Sequence, residues 1–317
     1  MPERILNSPG PLFLPGVFSA PGKPVLTFGV ELEVLGPNLS GQPGPYIDHE
    51  ASYTVYSDLI RQNTGLICLN RTHPDYKFTS SCYHPKTFDN WFIKHDTTVR
   101  RDHPSQIVIE IISPILSGRM GLEQIDSVFH YLHSIGLKTN KTCGLHVHIS
   151  CGWDRPISKE TLTQCVNIYR AIKNNHVFFD GLYAPERLSN IHCQRLEFID
   201  KPELLLQPGN RRSSSEVLAE LNGSAGEYNM YNFNLPEHGT LEFKGKEADN
   251  FHNALGYIGF VAAFTYEAAN NPYITADEVI DKYFVNQTPA LAPNRNRLIY
   301  VPGTRETASI VPAFQLT

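Results

Sequence analysis

Acidic or imidazole side chains alternate with aliphatic ones in four separate stretches of this chain. They are Glu31 and Glu33 in TFGVELEVL, Glu110 in QIVIEII, His146 and His148 in GLHVHIS, and Glu242 in TLEFKG. A period of two belongs to extended backbone, where residues i and i+2 share a face and their neighbours point the other way. Val30, Leu32 and Val34 therefore oppose the first acid pair, Leu145, Val147 and Ile149 oppose the histidines, and Leu241 and Phe243 oppose Glu242. A sheet built this way has one apolar face and one face of carboxylates and imidazoles, which is a bed for hard metal ions.

Between these strands lie helical patterns. Tyr53, Tyr56, Leu59 and Ile60 recur at helical spacing within 49–63, and Leu122, Ile125, Phe129, Leu132 and Ile135 do so up to Gly136. Ser158 is a candidate cap for a helix with Leu162, Cys165, Val166, Tyr169 and Ile172 on one face. A short helix near 215–222 ends at Gly223, a long apolar one spans about 249–270, and Thr275 caps another to about 284. The segment leading into WFIKHDTTV reads as a pair of hairpins, and Tyr228–Lys244 as a hairpin turning at Pro236–Gly239. Strands and helices interleave without regular βαβ alternation, which predicts an α+β fold with a largely antiparallel sheet. Residues 1–24, with six prolines and three glycines, predict an irregular arm. A single unit over 25–290 and an irregular tail over 291–317 complete the expected organisation.

Composition narrows the classes. The 317 residues carry a net charge of −5 with no run of lysine or arginine. That argues against sequence-independent grip on a nucleic acid backbone. No stretch approaches the ~20 apolar residues that span a bilayer, so no membrane partner is expected. The six cysteines are scattered without a CxxC pair, as expected of reduced thiols in a cytoplasmic protein. A phosphate loop of the GxxxxGK[ST] type, a GxGxxG turn, HExxH and GxSxG are all missing.

Each candidate site residue has a plain alternative. Glu31 and Glu33, about 6–7 Å apart along one face, can flank hard cations or simply line a solvated surface. His146 and His148 are possible metal ligands or a hydrogen-bonded surface pair. Glu110, in an apolar run, needs a cation, a metal or a proton; a salt bridge would also satisfy it. Glu242 and Lys244 share a face as metal ligand and phosphate clamp, or as an ordinary ion pair. Arg187 and Arg195 flank a loop and can hold anionic oxygens, and Asp96 in HDTTVR is a polar site residue or a turn former.

Taken in order, FGVELE, D-x-T around Asp96, VIEIISPIL, CGLHVHIS, the arginine-bearing loop and LEFKG resemble the amidoligase family, which is similar to glutamine synthetase and glutamate–cysteine ligase. The resemblance runs from about Thr27 to Glu247. It implies a glutamine synthetase-like half-barrel of largely antiparallel strands backed by helices. It also implies ATP and Mg²⁺ (or Mn²⁺) as cofactors, and a reaction joining a small-molecule or peptide carboxylate to an amine or ammonia. By position, Glu31, Glu33, Glu110, His146 and Glu242 match the metal-holding residues. His148 follows two residues after the matching histidine and is expected, with Lys244 and Arg195, on the nucleotide side; Lys244, Arg195, Arg187 and Asp96 are the expected catalytic set. Lys244 stands where the family usually has arginine, and a lysine lacks the two-pronged guanidinium fork. Two other functions remain open from the sequence: a zinc-dependent hydrolase around His146 and His148, and a degenerate, non-catalytic member that binds nucleotide or a partner.

Overall fold

All four alternating stretches become strands of one sheet. In the computed structural model, which describes residues 26–40, 49–73, 89–153, 156–207, 209–210, 212–248 and 254–285, seven strands occur. They are β1 (Thr27–Pro37), β2 (Cys68–Leu69), β3 (Trp91–Lys94), β4 (Gln106–Ile112), β5 (Gly144–Ser150), β6 (Tyr231–Asn234) and β7 (Thr240–Glu247). The expected arm 1–24 and tail 291–317 lie outside the described residues.

The strand order is β2-β3-β4-β1-β5-β7-β6, an open sheet with β1 near its centre. Every pairing is antiparallel except β2 with β3. The fold is therefore mixed α/β with a mostly antiparallel sheet, as the pattern predicted. The exception corrects the expected hairpins before WFIK. A parallel pair cannot be joined by a tight turn and needs a crossover; residues 74–88 of that connection lie outside the described set.

The apolar face of the sheet is buried beneath helices. Phe28, Val30, Leu32, Val147, Ile149, Leu241 and Phe243 are each at most 2 % exposed. Each such side chain contributes about 1.5–3 kcal/mol by leaving water. The helix Ala254–Asn270 packs on β5 and against the helices Lys159–Asn174 and Gly118–Ser134. It is covered on nearly all sides, which is why its sequence is apolar rather than amphipathic. The helix His49–Thr64 covers β2 and β3.

Local chemistry sets the helix ends. Ser158 Oγ accepts from Thr161 N, and Thr275 forms a reciprocal capping box with Glu278. The β6–β7 hairpin turns through one helical turn, Leu235–His238, closed by Gly239 at φ 70°. Among the described residues no helix is long and apolar enough to cross a membrane. Cys68, Cys143, Cys151, Cys165 and Cys193 are free and buried; Cys82 lies outside the described residues.

Candidate active site

The register of the sheet assembles the polar face in rows. On one row Lys94 of β3 lies opposite Glu110 of β4, which lies opposite Glu33 of β1. On the next, Glu31 lies opposite His146. On a third, Gly29, His148, Glu242 and Asn232 follow one another across β1, β5, β7 and β6. Between Leu145 and Val147 the β5–β7 register shifts by one, so Lys244 and Gly245 together oppose His146.

His146 is the hub. Its Nδ1 lies 3.3 Å from Glu31 Oε2 and 3.5 Å from Glu242 Oε1, and its Nε2 lies 3.6 Å from Glu33 Oε1. His148 Nε2 lies 3.4 Å from Glu31 Oε1 and 3.6 Å from Glu242 Oε1. It is buried and aligned for a hydrogen bond with neither, while its Nδ1 is 3.2 Å from Thr240 Oγ1. Ligand atoms of Glu31, His148 and Glu242 all fall within 4.8 Å of one another. Two carboxylates and an imidazole with an uncommitted nitrogen fit a divalent cation; Glu33 and Glu110 stand beside them as further oxygen donors. The sequence reading placed His146 in the ligand set and His148 on the nucleotide side; both imidazoles lie beside Glu31 and Glu242, and His148 completes the trio.

The carboxylates differ in environment. Burial works against ionisation of Glu31, but the contacts with His146 and His148 and the charge of Lys94 outweigh it and hold its carboxyl well below the usual range. Glu33 is pushed up by burial, although Gly144 N donates to its Oε2 at 2.5 Å. Glu110, 3 % exposed, is pushed well up by burial and by the negative charge of Glu31, with Lys94 Nζ at 3.2 Å offsetting only part. Burial opposes protonation of His148, yet Glu242 and Glu31 raise its affinity for a proton above the ordinary value.

Cations gather at one end of the cleft. Lys244 Nζ lies 3.3 Å from Glu242 Oε2. Arg187, 4 % exposed, donates from Nη2 to Lys244 O at 2.7 Å, and its Nε has no hydrogen-bond partner among the described residues. It reaches the site across Gly144, where an added Cβ would lie 2.8 Å from its Nη2 and 2.9 Å from His146 Nε2. Asp96 also lines the cleft, its Oδ1 accepting from Thr98 N and Oγ1 and from Val99 N.

Arg195 is not brought in. Its neighbour Gln194 bridges to Asn229, and Arg195 is exposed, ion-paired with Asp180, at a separate hollow shared with Arg212 and Glu220. The sequence reading also passed over Lys94, Arg100, Glu237 and His238, which line the cleft. Lys94 follows the apolar run Trp91–Ile93, which does not mark a face, and only its register opposite Glu110 places it on the polar side. His238 sits in the hairpin turn, where no periodicity marks a direction.

The cleft encloses about 490 Å³. Six carboxylates (Glu31, Glu33, Asp96, Glu110, Glu237 and Glu242) meet four lysines and arginines (Lys94, Arg100, Arg187 and Lys244) among its described residues. That balance suits a polyanion accompanied by metal cations. Residues 24–248 match the family described as putative amidoligase enzyme. No curated protein gives a significant match.

Proposed function

The chain belongs to the amidoligase family, and we propose that it is an ATP-dependent carboxylate–amine ligase whose acidic sheet face is a glutamine synthetase-like half-barrel. The observation that carries this reading is the convergence of Glu31, His148 and Glu242 on one point, flanked by Lys244 and Arg187, in a single cleft. Mg²⁺ or Mn²⁺ held by Glu31, His148 and Glu242, with Glu33, Glu110 and His146 adjacent, would neutralise charge on the phosphates.

The chain's own residues then divide the work. Lys244 and Arg187 hold the transferring phosphoryl group and stabilise charge developing on it. A substrate carboxylate oxygen attacks the γ-phosphorus and ADP leaves, giving an acyl phosphate. The amine attacks the acyl carbon and gives a proton to a cleft carboxylate, and phosphate departs. The sum is carboxylate, amine and ATP to amide, ADP and phosphate. His146, in contact with three glutamates, fixes their side chains relative to one another. Asp96, anchored by Thr98 and Val99, positions the loop that carries Arg100.

The test is to incubate the protein with Mg²⁺, ATP and pooled carboxylates and amines, and to follow ADP together with new amide masses. Glu31→Ala and Glu242→Ala are expected to abolish both signals. Full activity in either variant refutes the site, and turnover that needs tightly held zinc but no ATP refutes the ligase.

A further inference from the structure

A second cavity of about 350 Å³ opens from the cleft, and the two share Glu31, His148, Glu237 and His238. Its floor is formed by the start of β1, with the backbone around Gly29, and by Ile112 at the end of β4 with Pro114 and Ile115 just beyond it, and Trp153 stands at the side. The size lies at the lower end of small-ligand sites, which run roughly 300–1,000 Å³. Gly29 makes the opening. It lies directly opposite His148, and a Cβ there would meet nothing nearer than Ser113 Oγ at 3.5 Å.

This annex and Arg187 lie at opposite ends of β5, with Lys244 in between beside Glu242. Arg187 packs against Gly144 at the start of β5, whereas the annex touches Ser150 at its end. Six residues of strand separate those positions, about 20 Å, with the Glu31, His148 and Glu242 trio between them. Phosphates and a substrate carboxylate belong at the cationic end. The described residues lining the annex include Glu31 and Glu237 but no lysine or arginine, so that end repels a carboxylate and attracts an ammonium.

The floor also offers little to a heteroaromatic ring that must be read by hydrogen bonds. Phe28 N and O are both paired with Leu116, and Val30 O accepts from Ser113 N. Val30 N donates to Ser113 Oγ, whose own proton goes to Pro114 O. Proline has no N–H to give. What remains is an apolar enclosure with an acidic mouth.

We propose that the annex is the amine-substrate site, and that the amine it takes carries an aliphatic or aromatic group which fills the apolar floor while its nitrogen faces the metal trio. The inference rests on the ligase reading and narrows its substrate class. Binding is measured by calorimetry with Mg²⁺ present and ATP absent, using phenethylamine, methylamine and 3-phenylpropionate as probes.

Phenethylamine is expected to bind at least about 10-fold more tightly than either other probe, since each buried methylene contributes about 0.8 kcal/mol. Gly29→Ala, which narrows the opening without a clash, and Ile115→Ser, at an exposed position, are each expected to weaken phenethylamine about 10-fold. Both should leave Mg²⁺·ATP binding unchanged. Equal affinity for the three probes, indifference to both variants, or displacement of phenethylamine by adenosine would overturn the proposal. ADP release and amide formation on the same preparation separate the two readings. Turnover with small polar amines alone leaves the ligase standing and removes the annex. Phenethylamine binding without amide formation from any pairing removes the ligase, and with it the amine's role as substrate.

Discussion

Gly144→Ala tests whether the cationic end of the cleft works through close packing on the first residue of β5. The residue is in strand conformation, outside the left-handed glycines, so alanine suits the backbone. Its new methyl would sit 2.8 Å from Arg187 Nη2 and 2.9 Å from His146 Nε2, against the 3.4 Å at which ordinary contact begins. Arg187 must retreat about 0.6 Å and His146 about 0.5 Å, a small overpacking that costs about 1–3 kcal/mol of stability. Both groups are far ends of side chains, so the fold can absorb the shift. The site cannot: misplacement approaching 1 Å at a reacting centre costs about 100-fold in rate, or roughly 2.7 kcal/mol of barrier. Thermal unfolding is expected to fall by a few degrees while ATP-dependent ADP release falls about 100-fold. A folded Gly144→Ala protein with wild-type turnover would refute the assignment of Arg187 and His146 to the working cleft.

Two further outcomes follow from the same geometry. Metal affinity should rise with pH between 6 and 8, by up to about 10-fold per pH unit for each proton displaced. The neighbouring carboxylates raise His148's affinity for a proton, and burial does the same for Glu110; bound cations must expel those protons. Calorimetric titration with Mn²⁺ checks this, and a flat profile would contradict it. Arg195→Ala should keep wild-type turnover, because Arg195 lies outside the cleft, and should change stability by less than about 1 kcal/mol, since the exposed pair with Asp180 contributes little.

What the sequence made legible was what period two encodes. Glu31, Glu33, His146, His148 and Glu242 lie on alternating strands, and the face each occupies follows from its aliphatic neighbours; Glu110, in an unbroken apolar run, is placed only by its register opposite Glu33. Strand order does not follow from alternation, and neither does register. That is why the sequence alone does not show that both imidazoles reach the same two acids: Glu31 falls opposite His146 and Glu242 opposite His148, and each ring lies beside both carboxylates. Loop residues were harder still. Arg187 and Arg195 looked equivalent in a basic loop. The short helix Pro185–Leu188 packs on β7 and buries the first, whereas the bridge from Gln194 to Asn229 leaves the second outside. The parallel β2–β3 pair escaped because a short apolar run carries no information about its partner's direction.

The site also sets a conflict that packing alone does not resolve. Glu33 and Glu110 face each other across β1 and β4, and burial pushes both carboxyls up. A carboxylate whose value is raised on folding costs stability once the pH passes its unfolded value, and the cost is complete above the folded one. At neutral pH the sheet therefore carries a penalty that Lys94, partly exposed beside Glu110, offsets only in part. A stability optimum would replace one of these acids with an amide of the same shape. Retaining both is explicable if the cleft works with added positive charge, which turns the repulsion into shared coordination. The same excess of carboxylates that weakens the empty fold is what gives the polar face its affinity for cations. The apolar face, buried under the helix Ala254–Asn270, contributes the free energy that lets the sheet tolerate it.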